Sequence, residues 1–395
     1  MTGHAPPVAG AAVRPVVTGV GVLSAAGTGL GALAEAAAHG KTAFTTVTRF
    51  DVSARRTTRA ALLPEPTELA EAVLDAVDQA CRQAGLPAGA TEHADPTEYA
   101  GATEHAGPGG PGMPVLLALH SDLRTRAVTT AVAAGAAAAW GVPGVTRVYT
   151  GACVAAGTAV ADAAALVATG RHPRVLVAAG HLVEPGVFAA FDAGRALSRD
   201  GELRPFSAGR TGTLLGDAAA AVLVEAEPAA ERRGATVLAR LAGWGRTGDA
   251  HHVCRPEPDG EGAARAVHAA LARAGVGPAE IGYVNANGTG SPLADRAEAS
   301  ALRRVFGAHA ERLPVSSSKS VHGHALEASA LLELAVTVAT LGDGRLPVNA
   351  GWLGPDPDVG LDLVLDGPRS ARPRYALTLN SAFGGANTAL LVAAP

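Results

Sequence analysis

Short apolar runs alternate with helix-patterned segments in two successive series, and this alternation constrains the fold more than any other feature of the chain. In the first series, PVVTGVGVL at 15–23 reads as a buried strand running into a glycine turn, and 30–39 reads as a helix. The segment TELAEAVLDAVDQACRQA at 67–84 carries apolar residues at helical spacing and stops before Gly85. A strand at 114–119, a helix at 126–139, a strand at 145–149, a helix entered at Cys153, and strands at 174–179 and 219–225 follow. Residues 226–234 are polar and read as a connector. From Ala235 the second series runs: strand 236–243, helix 261–274, strand 281–285, helix 294–305, strand 313–317, helix 325–341, and strands 362–366, 375–379 and 388–393. Apolar strands alternating with helices imply an α/β fold with sheets covered on both faces. The two series are similar in length and order, so a duplicated unit is expected, divided as 1–230 and 231–395, although the residues themselves do not visibly repeat.

Composition narrows the function classes. With 395 residues, 48% hydrophobic and only 17% charged, the chain can bury a large core. A net charge of −4 without any basic run argues against a nucleic-acid partner. Cys81, Cys153 and Cys254 are too few and too scattered for a disulfide framework. The first residues lack the pattern of a signal peptide, and no run of 18 apolar residues reads as a membrane span, so a cytoplasmic protein is expected. Cys81 lies on the 67–84 helix and reads as core. Between 87 and 113 the pattern breaks: ATEHA occurs at 90–94 and again at 102–106, before a Gly/Pro tract, and a loop is expected. His93 and His105 have no rigid scaffold there, and no metal site is expected anywhere in the chain.

Four segments carry candidate chemistry. In YTGACVAAGTAV (149–160) a short strand meets small residues and then an Ala-rich helix, with Cys153 at its entrance. A helix N-terminus offers free N–H groups and the positive end of the dipole, which favour the nucleophilic thiolate; a buried small residue packing the turn is the plainer alternative. In VNANGTGSPLADRAEASAL (284–302), Gly288 and Gly290 turn the backbone at a strand's C-terminal end and present Asn287, Thr289 and Ser291, where open α/β sheets bind ligands; a glycine turn capping the next helix is the alternative. In VSSSKSVHGHALEASALLELA (315–335), Lys319, His322 and His324 share a strand-to-helix loop, with Glu327 and Glu333 following. In LNSAFGGANTALLV (379–392), Gly384 and Gly385 after Phe383 permit close backbone approach to a ligand.

Singly these are weak, but TxAC, NAxGTG, KSxxGH and NSxFGGxN in this order and spacing resemble the motif series of β-ketoacyl-acyl carrier protein synthases. RALS at 195–198, RPFSAGRTGTLLGD at 204–217 and TGDAHHVCRPEPDG at 247–260 add to the resemblance, which runs from about Val16 to Val392. It implies the thiolase-like fold: two duplicated βαβαβαββ halves in a five-layered α-β-α-β-α sandwich. It implies that Cys153 accepts the acyl group, that His324 is the second catalytic His, and that Lys319 supports them. Phe383 matches the Phe that gates malonyl access, and Glu333 the helix Glu that stabilises the site. Thr289 and Ser291 match hydroxyls that hydrogen-bond phosphopantetheine, and the N–H groups of Cys153 and Phe383 would form the oxyanion hole. The implied partner is an acyl carrier protein, whose phosphopantetheine arm is the only cofactor implied. A homodimer, or a heterodimer with another ketosynthase-like subunit, is implied as well.

The chain also departs from the pattern. Asn287 stands where the family has its first catalytic His. Asn donates an amide N–H but neither takes nor gives a proton at neutral pH. Asn287 thus permits two readings, and the resemblance to non-elongating ketosynthases of polyketide assembly lines, which lack just this His, favours loss of malonyl elongation, leaving transacylation or cyclisation. Decarboxylative condensation by a Cys153–Asn287–His324 set is the alternative, and a non-catalytic chain-length-type partner subunit is a third. Glu327 replaces a Gly; it either adds a carboxylate near the site or faces solvent, the latter slightly preferred. Asp217 replaces a Glu, and the stretch between Leu119 and Tyr149, which in the family helps build the acyl tunnel and dimer interface, is short.

Overall fold

Two sheets of identical strand order are stitched together along one edge. The computed structural model describes residues 13–64, 67–88 and 112–395. His93, His105 and the repeated ATEHA segments lie outside the described residues. In chain order the main strands are β1 (Pro15–Ser24), β2 (Val115–Ala118), β3 (Val145–Tyr149), β4 (Arg174–His181) and β5 (Ala218–Ala226), then β6 (Ala239–Gly248), β7 (Ile281–Asn285), β8 (Pro314–Ser316), β9 (Tyr375–Ser381) and β10 (Ala386–Ala393). The first five are arranged β3-β2-β4-β5-β1 and the second five β8-β7-β9-β10-β6, with the short strand Asp362–Leu363 beyond β8. Parallel and antiparallel pairings also correspond: β2 is parallel to β3 and β4, as β7 is to β8 and β9, and the other pairs within each set of five are antiparallel. The halves join where β1 pairs with β6 at Val16–Arg240 and Val17–Ala239.

Six helices fill the layers: α1 (Leu69–Gln83), α2 (Thr125–Trp140), α3 (Ala155–Ala168), α4 (Glu261–Ala274), α5 (Pro292–Phe306) and α6 (Ser329–Asp343). Helices α3 and α6 pack on each other and on the inner faces of both sheets, while α1 with α2 and α4 with α5 cover the outer faces. This is the five-layered thiolase-like sandwich. Helix α6 is buried on nearly every side, from Ser329 to Leu341, which explains its almost unbroken apolar sequence. The duplication is written in glycines. A Cβ on Gly19 or Gly21 of β1 would lie 2.0 or 1.9 Å from the carbonyl oxygens of Ala80 and Ala76 in α1. A Cβ on Gly243 or Gly245 of β6 would lie 2.1 or 1.9 Å from those of Ala270 and Ala266 in α4. A G-x-G pair on the first strand of each half thus lets a helix backbone rest on the sheet.

Three expectations need correction. The polar stretch 226–234 is not a bare connector: a helix spans Glu227–Arg232, started by Pro228 in its first turn and tied down by the Arg240–Glu227 and Arg233–Glu225 pairs. The helix expected from 325 begins at Ser329, because Leu326 has φ 41° and opens a 3-10 turn, Leu326–Ala328. The strand expected at 362–366 shortens to Asp362–Leu363. The helix Pro185–Ala193 was not anticipated at all. Cys81 sits in the outer core against β5, and burial first, then the Asp78 charge, pushes its thiol up to about 12, as befits a packing residue.

Candidate active site

Strand β3 ends at Tyr149, and small residues carry the chain into a 3-10 turn, Ala152–Val154, that precedes α3. Cys153 sits in this turn, 5% exposed, in an apolar cluster with Val183, Phe188, Leu215 and Leu326. Its Sγ lies 3.0 Å from His324 Nε2. The other ring nitrogen, Nδ1, is 2.9 Å from Ser329 Oγ, which also accepts the Ala325 N–H. The expected activation by the helix entrance is outweighed. Burial, then the Glu327 carboxylate, push the Cys153 thiol from 9.0 up to about 12, with Lys319 pulling the other way. Burial thus outweighs the modest pull of a helix N-terminus, which is about 0.3–1 kcal/mol. Burial and then the Lys319 charge hold His324 well below its ordinary value, so the resting pair is a thiol beside a neutral imidazole. Such a pair attacks a thioester by passing the Sγ proton to Nε2 as the C–S bond forms.

Asn287 follows β7 in a turn whose backbone is clamped by α5. Its N–H and that of Gly288 donate to Glu298 at 2.7 and 2.8 Å, and those of Thr289 and Gly290 donate to Asp295 at 3.1 and 3.2 Å. Burial pushes Glu298 up to about 7 and Asp295 up to about 6 against these bonds. Lys319 opens a single helical turn after β8 and is completely buried. Its Nζ lies 2.5 Å from Glu333 Oε1 and donates to Asn287 Oδ1 at 3.1 Å. Asn380 Nδ2 holds the second Glu333 oxygen at 2.5 Å. Because an ammonium can only donate, it fixes the Asn287 amide with oxygen inward and leaves its N–H groups as what this position offers a substrate. Glu333 is fully buried against Lys319.

Ser291 is the N-cap of α5 yet makes no side-chain cap bond, so its hydroxyl is not consumed by the helix, and Thr289 is half-buried beside it. Phe383 is 57% exposed, with its ring 5.8 Å from that of Phe191, while Ala382 packs on the Cys153 cluster. Gly384 has φ 87° with open space around it; Gly385 has φ 77°, and a Cβ there would lie 2.7 Å from Asp249 Cβ. Glu327 does not face solvent. It is 1% exposed, because the 3-10 turn that carries it is pressed between β4 and the Cys153 turn. Burial raises its carboxyl, but the contact and charge of His181 and the bond from His120 outweigh this and hold it below its ordinary value. Asp217, also fully buried, forms two bonds with Arg49 and accepts the Val183 and Leu63 N–H groups, fastening the loop after β4.

Residue patterning missed His120, His181, Ser329, Asp295 and Glu298. His181 ends β4, and His120 lies just past β2. The rule that singled out Asn287, a polar residue at the C-terminal end of an apolar strand, would have found both. Among the described residues no group of three or more His, Cys, Asp or Glu is placed to hold a metal, and no helix is long and apolar enough to cross a membrane.

Known proteins share the sequence pattern and the fold of this chain. Residues 67–230 match the N-terminal domain of the β-ketoacyl synthases and residues 238–352 their C-terminal domain. The chain belongs to the β-ketoacyl synthase family. It is 38% identical over 268 residues to nodulation protein E of Rhizobium meliloti, covering 67% of this chain and 66% of that protein. It is 37% identical over 207 residues to 3-oxoacyl-[acyl-carrier-protein] synthase 2 of Staphylococcus aureus, 51% of each chain, so the matches span between half and two thirds of these relatives. Among solved structures, a β-ketoacyl synthase from Burkholderia phymatum superposes with a TM-score of 0.82 at 25% identity, covering 97% of this chain and all (100%) of that one. The ishigamide ketosynthase/chain length factor superposes with a TM-score of 0.84 at 25% identity, covering 98% and 100%. A type II polyketide ketosynthase in complex with its acyl carrier protein shares the fold at 22% identity, with a TM-score of 0.85 and coverage of 98% and 100%.

Proposed function

We propose that the chain is a ketosynthase-like acyltransferase of polyketide or related specialised metabolism. It takes an acyl group from the phosphopantetheine arm of an acyl carrier protein onto Cys153, then transfers or cyclises it without malonyl elongation. The observation that carries this reading is the split state of the centre. The nucleophile half is intact, with Cys153 3.0 Å from His324, while the first-His position holds an Asn whose oxygen is taken by Lys319. Elongation needs groups that stabilise the enolate formed as malonyl loses carbon dioxide, and here one imidazole is replaced by a neutral amide. The free Ser291 hydroxyl and half-buried Thr289 are suited to the pantetheine arm, and Phe383 with Gly384 to the mouth of the site. The Cys153–His324 contact weighs against a purely non-catalytic partner subunit. A carrier protein and a second ketosynthase-like subunit or second copy as partners, a cytoplasmic setting, and a division into 1–230 and 231–395 belong to the same reading.

Incubation with acyl-carrier protein and intact-mass analysis provides the test. An acyl adduct is expected on the wild type and absent in Cys153→Ala. Malonyl-carrier protein should release little carbon dioxide; brisk release dependent on His324 would instead establish decarboxylative condensation by Cys153, Asn287 and His324.

A further inference from the structure

If Asn287 cannot move a proton, another group must, and the described residues contain three buried imidazoles: His181, His322 and His324. His324 is engaged with Cys153 and Ser329. Both nitrogens of His322 are committed, Nδ1 to the Gly323 carbonyl at 2.8 Å and Nε2 to Ser318 Oγ at 3.2 Å. His181 differs. It is 2% exposed, its Nε2 is buried without a partner, and its Nδ1 lies 3.4 Å from Glu327 Oε2, an ion-pair contact to an oxygen that accepts no hydrogen bond. A carboxylate behind one imidazole nitrogen with the other left free is the arrangement by which a His is oriented as a base. The pair borders the reaction centre. The turn carrying Glu327 packs on the turn carrying Cys153, the Glu327 charge acts directly on the Cys153 thiol, and a charge on His181 is felt by His324. A route to solvent exists as well. His120, 41% exposed, contacts Glu327 Oε1 at 2.9 Å, and both His120 and His181 line a cavity of about 20 Å³, room for about one water.

We propose that His181, braced by Glu327, is a further catalytic residue: the general base that takes the proton of an oxygen nucleophile, water or an alcohol, attacking the acyl group on Cys153. The inference rests on the acyl-Cys153 reading above. With water as nucleophile, a C–O bond forms and the acyl C–S bond breaks, giving a carboxylate, the Cys153 thiol and one proton. Of the two water protons, one passes to His181 Nε2 and leaves by way of Glu327 and His120. The other returns the thiolate to thiol through His324.

The test loads the full chain with acetyl-N-acetylcysteamine and follows acetyl-Cys153 by intact mass, released either by water or by hydroxylamine, which attacks thioesters without a base. In His181→Gln and in the near-isosteric Glu327→Gln, loading should persist, release by water should slow by about 10²-fold or more, and release by hydroxylamine should stay as in the wild type. A purely structural role would slow both releases together and overturn the inference, as would unchanged release by water in both variants. An absence of any adduct on the wild type would sink the acyltransferase reading, and this inference with it. If His181→Gln fails to fold, Glu327→Gln alone decides.

Discussion

Replacing Lys319 by Met probes the centre where its energetics are most concentrated. Lys319 and Glu333 are both fully buried, with Nζ 2.5 Å from Oε1, and each has one further partner, Asn287 and Asn380 respectively. Removing the ammonium leaves a carboxylate sealed in the core with a single amide for company. Breaking a buried pair in this way costs about 3–5 kcal/mol. Unfolding entropy of about 2.1 cal/mol/K per residue gives about 0.8 kcal/mol/K for this 395-residue chain, so Tm should drop by about 4–6 °C. The double variant Lys319→Met/Glu333→Gln removes the stranded charge along with its partner. It should recover part of the loss, a coupling of about 1–3 kcal/mol. Scanning calorimetry of the wild type, both single variants and the double variant at neutral pH measures the cycle. Strictly additive losses, or a Lys319→Met protein melting with the wild type, would refute the reasoning.

Neutralising Glu327 should have opposite effects on two readouts. Its carboxylate raises the Cys153 thiol, so Glu327→Gln should increase the thiolate fraction at a given pH and speed alkylation of Cys153 by iodoacetamide, scored by peptide mass, even as water-driven deacylation slows. Burial raises Glu298 above its ordinary 4.5 to about 7, so its stabilising proton is fully present below about 4.5 and lost as pH rises through about 7. Tm should therefore decline from pH 5 to pH 8, and Glu298→Gln should flatten part of that decline in a thermal melt series. Gly384→Ala adds only left-handed strain, about 1–2 kcal/mol, because nothing crowds its Cβ, whereas Gly385→Ala must also displace Asp249 and should melt clearly lower. Asn287→His should raise carbon dioxide release from malonyl-carrier protein if the amide is what blocks decarboxylation.

The alternation of strands and helices was legible because most main strands are apolar enough to be buried on both faces, as in β5, where eight of nine residues are buried, although β3 has no buried residue and β6 is buried on one face. The four Gly-rich segments pointed to Cys153, Asn287, Lys319, His324 and Phe383, because such loops sit at the ends of strands that converge on one centre. What stayed hidden depends on three-dimensional contact. Nothing local marks 325–328 as a non-helical turn, since Ala, Leu, Glu and Ala are all good helix formers; the turn exists because tertiary packing holds Leu326 at positive φ. Once that turn is made, Glu327 leaves the face that helical spacing assigns it and enters the core. His120, just past β2, and His181, at the end of β4, are 61 residues apart in sequence and come together only in the fold, ring against ring at 6.4 Å and on either side of Glu327. The sign of the Cys153 shift was likewise beyond local reading, since a helix entrance is visible in sequence and desolvation is not.

The charges around Cys153 bear on which acyl groups the site will hold. Lys319 supplies one cation, and Glu333 and Glu327 supply two carboxylates, of which Glu333 is neutralised by direct contact with Lys319. A resting thiolate would place a further anion in an apolar pocket already facing Glu327, which is why the thiol is so hard to ionise. A thioester carries no charge, so under the proposed function acylation of Cys153 would relieve this conflict, and the acyl-enzyme would be the state the surroundings favour. A malonyl chain would bring the conflict back, since its carboxylate would approach a site where Asn287 cannot become a cation and Lys319 is already spent on Glu333 and Asn287. Neutral acyl groups should therefore load onto Cys153 in preference to malonyl, and Glu327→Gln should narrow that preference when acetyl- and malonyl-carrier proteins compete. If malonyl transfer matches acetyl transfer in the wild type, the carboxylate must be met by a cation other than Lys319, and the electrostatic account of lost elongation fails.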